Sequence, residues 1–231
     1  ALFMLQVRDK YGPGVLSAFL RGKYHTPREE KRVFMFVDLK GSTTIAEKLG
    51  HVRYFNFLKD FFDDITWSIL YHQGEIYQYV GDEVVVSWKL GKGLEDQNAL
   101  EAFFDMQRTF EKLAPRYLEK YGMVPEFKAG LHYGEVTTGE IGVIKKDLIF
   151  TGDTLNTSSR IQGMCNTFES ELLVSGDLLN MLRPGPGYQV QEIGLMPLRG
   201  REEPVRLFTV ERAPELLRQT EGKGLRVIAG Q

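Results

Sequence analysis

The run "VFMFVDLKGSTT" (residues 33–44) constrains the fold more than any other stretch of the chain. Val33 to Val37 are apolar without alternation, the pattern of a strand buried on both faces. Asp38 follows where that strand leaves the core. A carboxylate there must be solvated, hydrogen-bonded or bound to a cation, because burying it unpaired is too costly. Gly41, Ser42 and Thr43 then turn the chain into a helix start whose backbone N–H groups suit a phosphate. The same residues also read as a plain strand end followed by a Ser/Thr helix cap.

The elements that follow limit what this strand can pair with. A helical region runs from about Ser42 to Tyr71, with Phe55, Leu58, Phe61, Phe62 and Ile65 as its core stripe. "GEIYQYVGDEVVVSW" reads as two strands joined at Gly81-Asp82. A long helix covers roughly Leu94 to Tyr121, and "FKAGLHYGEVTTGEIG" reads as a strand with glycine bends, with "LIFTG" returning. A helix from about Asp153 to Gly163 carries "LNTSSRIQG"; after it come a short strand "LLVS", a helix "GDLLNML" and two strands near 188–193 and 205–211. This order predicts an α/β (α+β) fold: a ferredoxin-like split βαβ core with an extra hairpin, its mostly antiparallel sheet flanked by helices. The end of the first strand then lies beside the hairpin turn, bringing Asp38 and Asp82 together.

Two carboxylates beside a glycine-containing loop suit one or two Mg²⁺ ions. Magnesium takes one or two protein carboxylates and fills its shell with water and substrate phosphates. Two ions roughly 3.5–4 Å apart stabilise the attacking and leaving oxygens of an in-line phosphoryl displacement. Strand alternation sets Asp82 as the ligand and turns Glu83 away; the bland alternative for Asp82 is a Gly-Asp hairpin turn. Asn156 and Arg160, spaced i, i+4, share a helix face. The Asn suits a ribose or base oxygen and the Arg a charged phosphorus, whereas an isolated pair of this kind is usually solvated. In "LRGREEPV", Arg199 and Arg201 read either as contacts to a triphosphate tail or as surface charges.

In order and spacing, "FVDLKGST", "YVGDEVVV", "GLHYGEVTTGEIG" and "TGDTLNTSSRIQG" resemble the catalytic domain of the class III nucleotidyl cyclases, from about Arg32 to Val210. More loosely, "VRDKYGPGVLSAFLRGKYHTPREE" resembles the segment that joins membrane helices to that domain in bacterial membrane-anchored cyclases. The resemblance implies cyclisation of a nucleoside triphosphate to its 3′,5′-monophosphate and pyrophosphate. It implies two Mg²⁺ or Mn²⁺ ions per site on Asp38, Asp82 and the Leu39 carbonyl, with Asn156 and Arg160 orienting ribose and stabilising the transition state. Gly41, Ser42, Thr43 and Arg201 would hold phosphates. It further implies a homodimer whose sites take metal ligands from one chain and Asn/Arg from the other; the expected topology agrees, setting the Asn156/Arg160 helix remote from Asp38 and Asp82 of its own chain. Many adenylate-forming members carry Lys four residues before the second metal aspartate, and Asp or Thr three residues before the glycine of the later "GD" turn. Here those base-facing positions are Gln78 and Ile149. ATP is the expected substrate; GTP or a pyrimidine triphosphate, or a non-catalytic dimerisation or sensor module, are the alternatives.

The rest of the chain agrees with these expectations. With 231 residues, 26% of them charged, and a net charge of −2, the chain is no nucleic-acid coat. Its single Cys165 excludes an internal disulfide and fits a reducing, cytoplasmic compartment. No apolar run approaches the roughly 18 residues of a membrane span. Residues 1–31 read as a linker and short helix leading from an upstream regulatory or membrane segment, 32–211 as the catalytic domain, and 212–231 as a loose tail. The expected location is the cytoplasm, with the domain tethered to the inner face of a membrane in a longer protein.

Overall fold

The computed structural model describes residues 26–142, 147–198, 201 and 203–213. The "VLSAFLRG" helix, the tail beyond 213 and Arg199 lie outside the described residues. β1 (Arg28–Leu39) leads into α1 (Ser42–Leu49) and α2 (His51–Tyr71). The expected single helical region is thus two helices, because Gly50, at φ +72, interrupts the helical backbone. β2 (Glu75–Val80) and β3 (Glu83–Lys89) form the hairpin; α3 (Leu90–Leu94) and a 3₁₀ turn (Glu95–Gln97) precede α4 (Asn98–Tyr121). Positive φ at Asp96 and Gln97 delays that helix to Asn98. Then come β4 (Phe127–Ile141), β5 (Asp147–Thr151), α5 (Asp153–Gly163), β6 (Leu172–Ser175), α6 (Gly176–Leu182), β7 (Tyr188–Met196) and β8 (Val205–Arg212).

The strands form one sheet in the order β2-β3-β1-β4-β6-β8-β7, with β5 paired to β4. Every pairing is antiparallel except β4 with β6. Alternation along β1 sends Val33, Met35, Val37 and Leu39 into the main core and Phe34 and Phe36 into a smaller one on the opposite face. The main core packs α2 and α4 on the sheet through Phe57, Phe61, Ile65 and Ile69, a stripe with no exposed surface. Phe55, expected in that stripe, is 69% exposed, since the helix rotation that buries Phe57 and Phe61 turns Phe55 outward.

On the other face lies α5, and two glycines of β4 permit its close approach. A Cβ at Gly130 would sit 2.3 Å from the Gln162 nitrogen and 2.8 Å from the Ser158 oxygen, and one at Gly134 would sit 2.5 Å from Thr154 Oγ1. The glycines read as bends therefore lie within an unbroken 15-residue strand and form the shelf on which α5 rests. Cys165, just past α5, is buried and donates to the Ala129 carbonyl at 3.3 Å. Burial pushes its thiol up to about 12, so it packs as an inert side chain.

Candidate active site

Register assembles the first half of the site. Asp38 of β1 is paired with Glu83 of β3 on one side and Lys128 of β4 on the other. Residues directly opposite in a ladder project to the same face. The sheet therefore carries a Lys128–Asp38–Glu83 row on the α5 side, at the edge where the Gly81-Asp82 turn closes. Asp38 Oδ2 accepts from Gln162 Nε2 at 3.1 Å and lies 3.2 Å from Lys128 Nζ. Even so, burial holds the Asp38 carboxyl above its usual range, with Asp82 adding to the rise and Lys128 opposing it. Glu83 is pushed up to about 7, by burial first and then by the charges of Asp38 and Asp82.

Glu83 thus does not turn away. Asp82 stands in the turn and not in a strand, so the two-residue alternation does not carry across it; the pairing with Asp38 sets the direction of Glu83 instead. Three carboxylates gather with Lys128 as the cation among them, and the raised proton affinity of Asp38 and Glu83 marks a place short of positive charge. That is the donor chemistry of a hard divalent cation. Among the described residues no three His, Cys, Asp or Glu side chains close into a complete metal-binding group. Leu39 ends β1 with its side chain in the core.

The turn after Asp38 opens α1 with Gly41 at φ +66, and no side chain caps the helix. The capping reading of Ser42 and Thr43 is therefore not what the structure shows. The Tyr54 phenol of α2 stands beside the Ser42 hydroxyl, and its pKa is raised by burial and next by Asp82. A groove of about 690 Å³ runs from Asp82 along α2, lined by Tyr54, Phe55 and Tyr79 among others.

The second half of the site lies along α5. Thr154, Thr157, Ser158, Ile161 and Gln162 face the sheet, while Asn156 is exposed and Arg160 half-buried on another side. Arg160 Nη1 lies 3.9 Å from Asp153 Oδ1 and has no hydrogen-bond partner. Arg201 joins the same helix: its Nη1 donates to Thr157 Oγ1 at 3.1 Å and lies 3.4 Å from Asp153 Oδ2. A cavity of about 350 Å³ beside Arg201 and Asp153 reaches His132, whose Nδ1 is 2.8 Å from Ser175 Oγ. The expectation of a helix remote from Asp38 is corrected here. Gln162, in the last turn of α5, touches Asp38 directly, and rotation about the helix axis, not distance, separates the Asn156/Arg160 face from it.

Gln78 is exposed on edge strand β2, past a bulge at Tyr77, and its pairing with Val85 sets it on the Asp38 face. Leu148 and Phe150 pack into the smaller core, so Ile149 between them turns to the opposite side of β5. Their neighbours meet: the Tyr77 and Phe150 rings lie 4.8 Å apart, and the Phe150 N–H donates to Tyr77 Oη. Sequence reasoning missed Glu83, Tyr54, Lys128 and Gln162. Counting register outward from the Gly81-Asp82 turn would have found Glu83; no local signal marks the other three.

The family model described as the adenylate and guanylate cyclase catalytic domain matches residues 25–211. The chain is 35% identical to adenylate cyclase 2 of Rhizobium meliloti (strain 1021) over 209 residues, 90% of this chain and 58% of that protein. It thus spans little more than half the length of that relative. In fold it is similar to a bacterial light-regulated adenylyl cyclase, with TM-score 0.77, 20% identity, and 95% of this chain and 65% of that one covered. The adenylyl cyclase CyaB from P. aeruginosa gives TM-score 0.71 at 20% identity, over 81% of this chain and 97% of that one.

Proposed function

The chain belongs to the adenylate and guanylate cyclase catalytic-domain family, and from that premise we propose that it converts ATP to 3′,5′-cyclic AMP and pyrophosphate. The observation that carries this reading is the Asp38–Asp82–Glu83 carboxylate edge, short of cations, at the ends of strands beside an uncapped helix start. Asp38, Asp82 and the Leu39 carbonyl would hold two Mg²⁺ or Mn²⁺ ions, which when bound stabilise charge on the attacking and leaving oxygens. The Gly41-Ser42-Thr43 turn offers backbone N–H groups to the phosphates. Asn156 orients the ribose so that its 3′-oxygen lies in line with the α-phosphorus. As that oxygen gives up its proton to water and bonds to phosphorus, and the bond to the bridging oxygen breaks, Arg160 offers its free donor to the charge that builds there. Arg201 neutralises the terminal phosphates, which leave as pyrophosphate.

The separate facing of Asn156/Arg160 and Asp38 supports a homodimer in which each site takes its metal ligands from one chain and its Asn/Arg pair from the other. In the longer protein we place this domain in the cytoplasm, tethered by an upstream regulatory or membrane segment. Among the described residues no helix is long and apolar enough to cross a membrane. A second reading concerns the base. Gln78 and Ile149 carry no charge, so GTP or a pyrimidine triphosphate competes as substrate. Incubating the protein with each of the four nucleoside triphosphates and Mg²⁺ or Mn²⁺, then identifying products, tests both. Cyclic AMP as the main product is expected. Another cyclic nucleotide as main product would move the assignment to that base, and no cyclic product would favour a non-catalytic module.

A further inference from the structure

Asp38 is the one carboxylate of the cluster with donors from two other elements on the same oxygen. Gln162 Nε2 of α5 donates to Oδ2 at 3.1 Å, across 124 positions of sequence, and Lys128 Nζ of β4 lies 3.2 Å from that oxygen. Both donors are themselves fixed. Lys128 Nζ also donates to Asn166 Oδ1 at 3.1 Å. The Gln162 backbone rests on Gly130, with no room for even a Cβ between them, and the residue is 6% exposed. A half-buried carboxylate held through one oxygen is limited in orientation, and its other oxygen remains for a cation.

Resting on the reading of Asp38 as a metal ligand, we propose that Gln162 is a positioning residue of the metal site, which with Lys128 fixes Asp38 through Oδ2 and presents Oδ1 to the ion. Partners that orient a ligand in this way typically change metal affinity by about 10- to 100-fold when removed. Gln162 also stands two residues beyond Arg160 on the same short helix, at ~200° of rotation. One turn of α5 thus carries Arg160 toward one composite site and orients the metal carboxylate of the other. Glutamine suits this place because a neutral amide donates to the carboxylate without repelling the incoming cation, whereas a second lysine would do both.

The test is Mn²⁺ binding followed by electron paramagnetic resonance on the whole chain in the presence of 3′-deoxy-ATP, which lacks the attacking hydroxyl. Asp38→Ala defines the loss of the site. Gln162→Leu is expected to weaken Mn²⁺ binding at least about 10-fold, with thermal unfolding close to that of the parent. In turnover assays it should raise the Mn²⁺ concentration for half-maximal rate while kcat recovers at saturating metal, a split that loss of packing alone does not give. Gln162→Met, which keeps the side chain's length, serves if the leucine variant does not fold, with the same outcome expected. Unchanged Mn²⁺ affinity in either folded variant, with binding lost in Asp38→Ala, would overturn the role of Gln162 and leave the metal reading standing. Unchanged Mn²⁺ affinity in Asp38→Ala would overturn the metal reading, and the proposal with it.

Discussion

The strand-end edge around Asp38 and the outer face of α5 are built on opposite electrostatic plans. At the edge, Asp38, Asp82 and Glu83 gather, Lys128 pairs with Asp38, and the Asp38 and Glu83 carboxyls are raised in pKa. On α5, Arg160 and Arg201 share Asp153, and Arg160 keeps a donor without a hydrogen-bond partner. One region lacks cations and the other has cationic donors to spare. A substrate carrying three phosphates, together with divalent ions, complements both at once. The two surfaces face different ways within one chain, so under the proposed homodimer the complement is completed between chains, and each region can be broken separately.

The sharpest break removes the edge alone. Asp38→Ala or Asp82→Ala should lower kcat by about a thousandfold or more, on the order of 4 kcal/mol of barrier. Circular dichroism and thermal unfolding should stay near those of the parent, since the strand ends remain paired. Near-normal turnover in a folded variant would remove that aspartate from the site. Breaking one region in each chain probes the division itself. Arg160→Ala should be nearly inactive alone, yet mixed in equal amounts with Asp38→Ala it should regain about a quarter of the parental rate, since half the dimers then hold one intact site of two. Mixed dimers that stay inactive would mean that each site is built within a single chain.

The two regions are joined through the shelf beneath α5, so Gly130→Ala tests their connection. Its methyl group would meet backbone atoms of Gln162 and Ser158, which cannot swing aside as a flexible side chain would. Urea unfolding should show a loss of roughly 2 kcal/mol or more, with metal affinity falling in step as Gln162 moves. The α5 side should also be the more sensitive to acid. Burial first, then the Arg201 charge, hold the His132 imidazole down at about 4. Below its ordinary value near 6.5 the unfolded chain takes up a proton that the folded chain refuses, so stability is complete above that pH. It is lost as pH falls toward the folded value, by roughly 3 kcal/mol in all. Urea midpoints at about pH 7 and about pH 4.5 should differ less in His132→Asn than in the parent; an equal difference would place the acid sensitivity elsewhere. The smallest effect belongs to the base. Gln78→Ala should shift the ratio of ATP to GTP use by a few-fold, with a smaller loss of rate than either aspartate variant. An unchanged ratio would remove Gln78 from base recognition.

Most of the architecture could be read from the chain because it rests on short-range rules. The unbroken apolar run before Asp38, the Gly81-Asp82 turn and the i, i+4 spacing of Asn156 and Arg160 are local patterns, and they survive in the folded protein. Their order was enough to bring the end of β1 beside the β2–β3 turn. Other features depended on long-range register and helix rotation. Glu83 faces Asp38 because the β1–β3 ladder pairs them, whatever alternation suggests across a turn. Phe55 is exposed and Phe57 buried because α2 starts anew after Gly50 and rotates to meet the sheet. Gln162 and Lys128 reach Asp38, and Arg201 reaches Asp153, through the packing of elements far apart in sequence. The sequence by itself determined the strand ends and helix faces that bear the reactive groups, since backbone periodicity and turn chemistry act over a few residues. Which groups meet there was decided only by the tertiary structure, because a one-residue slip of register or a quarter turn of a helix exchanges the partners while leaving every local pattern intact.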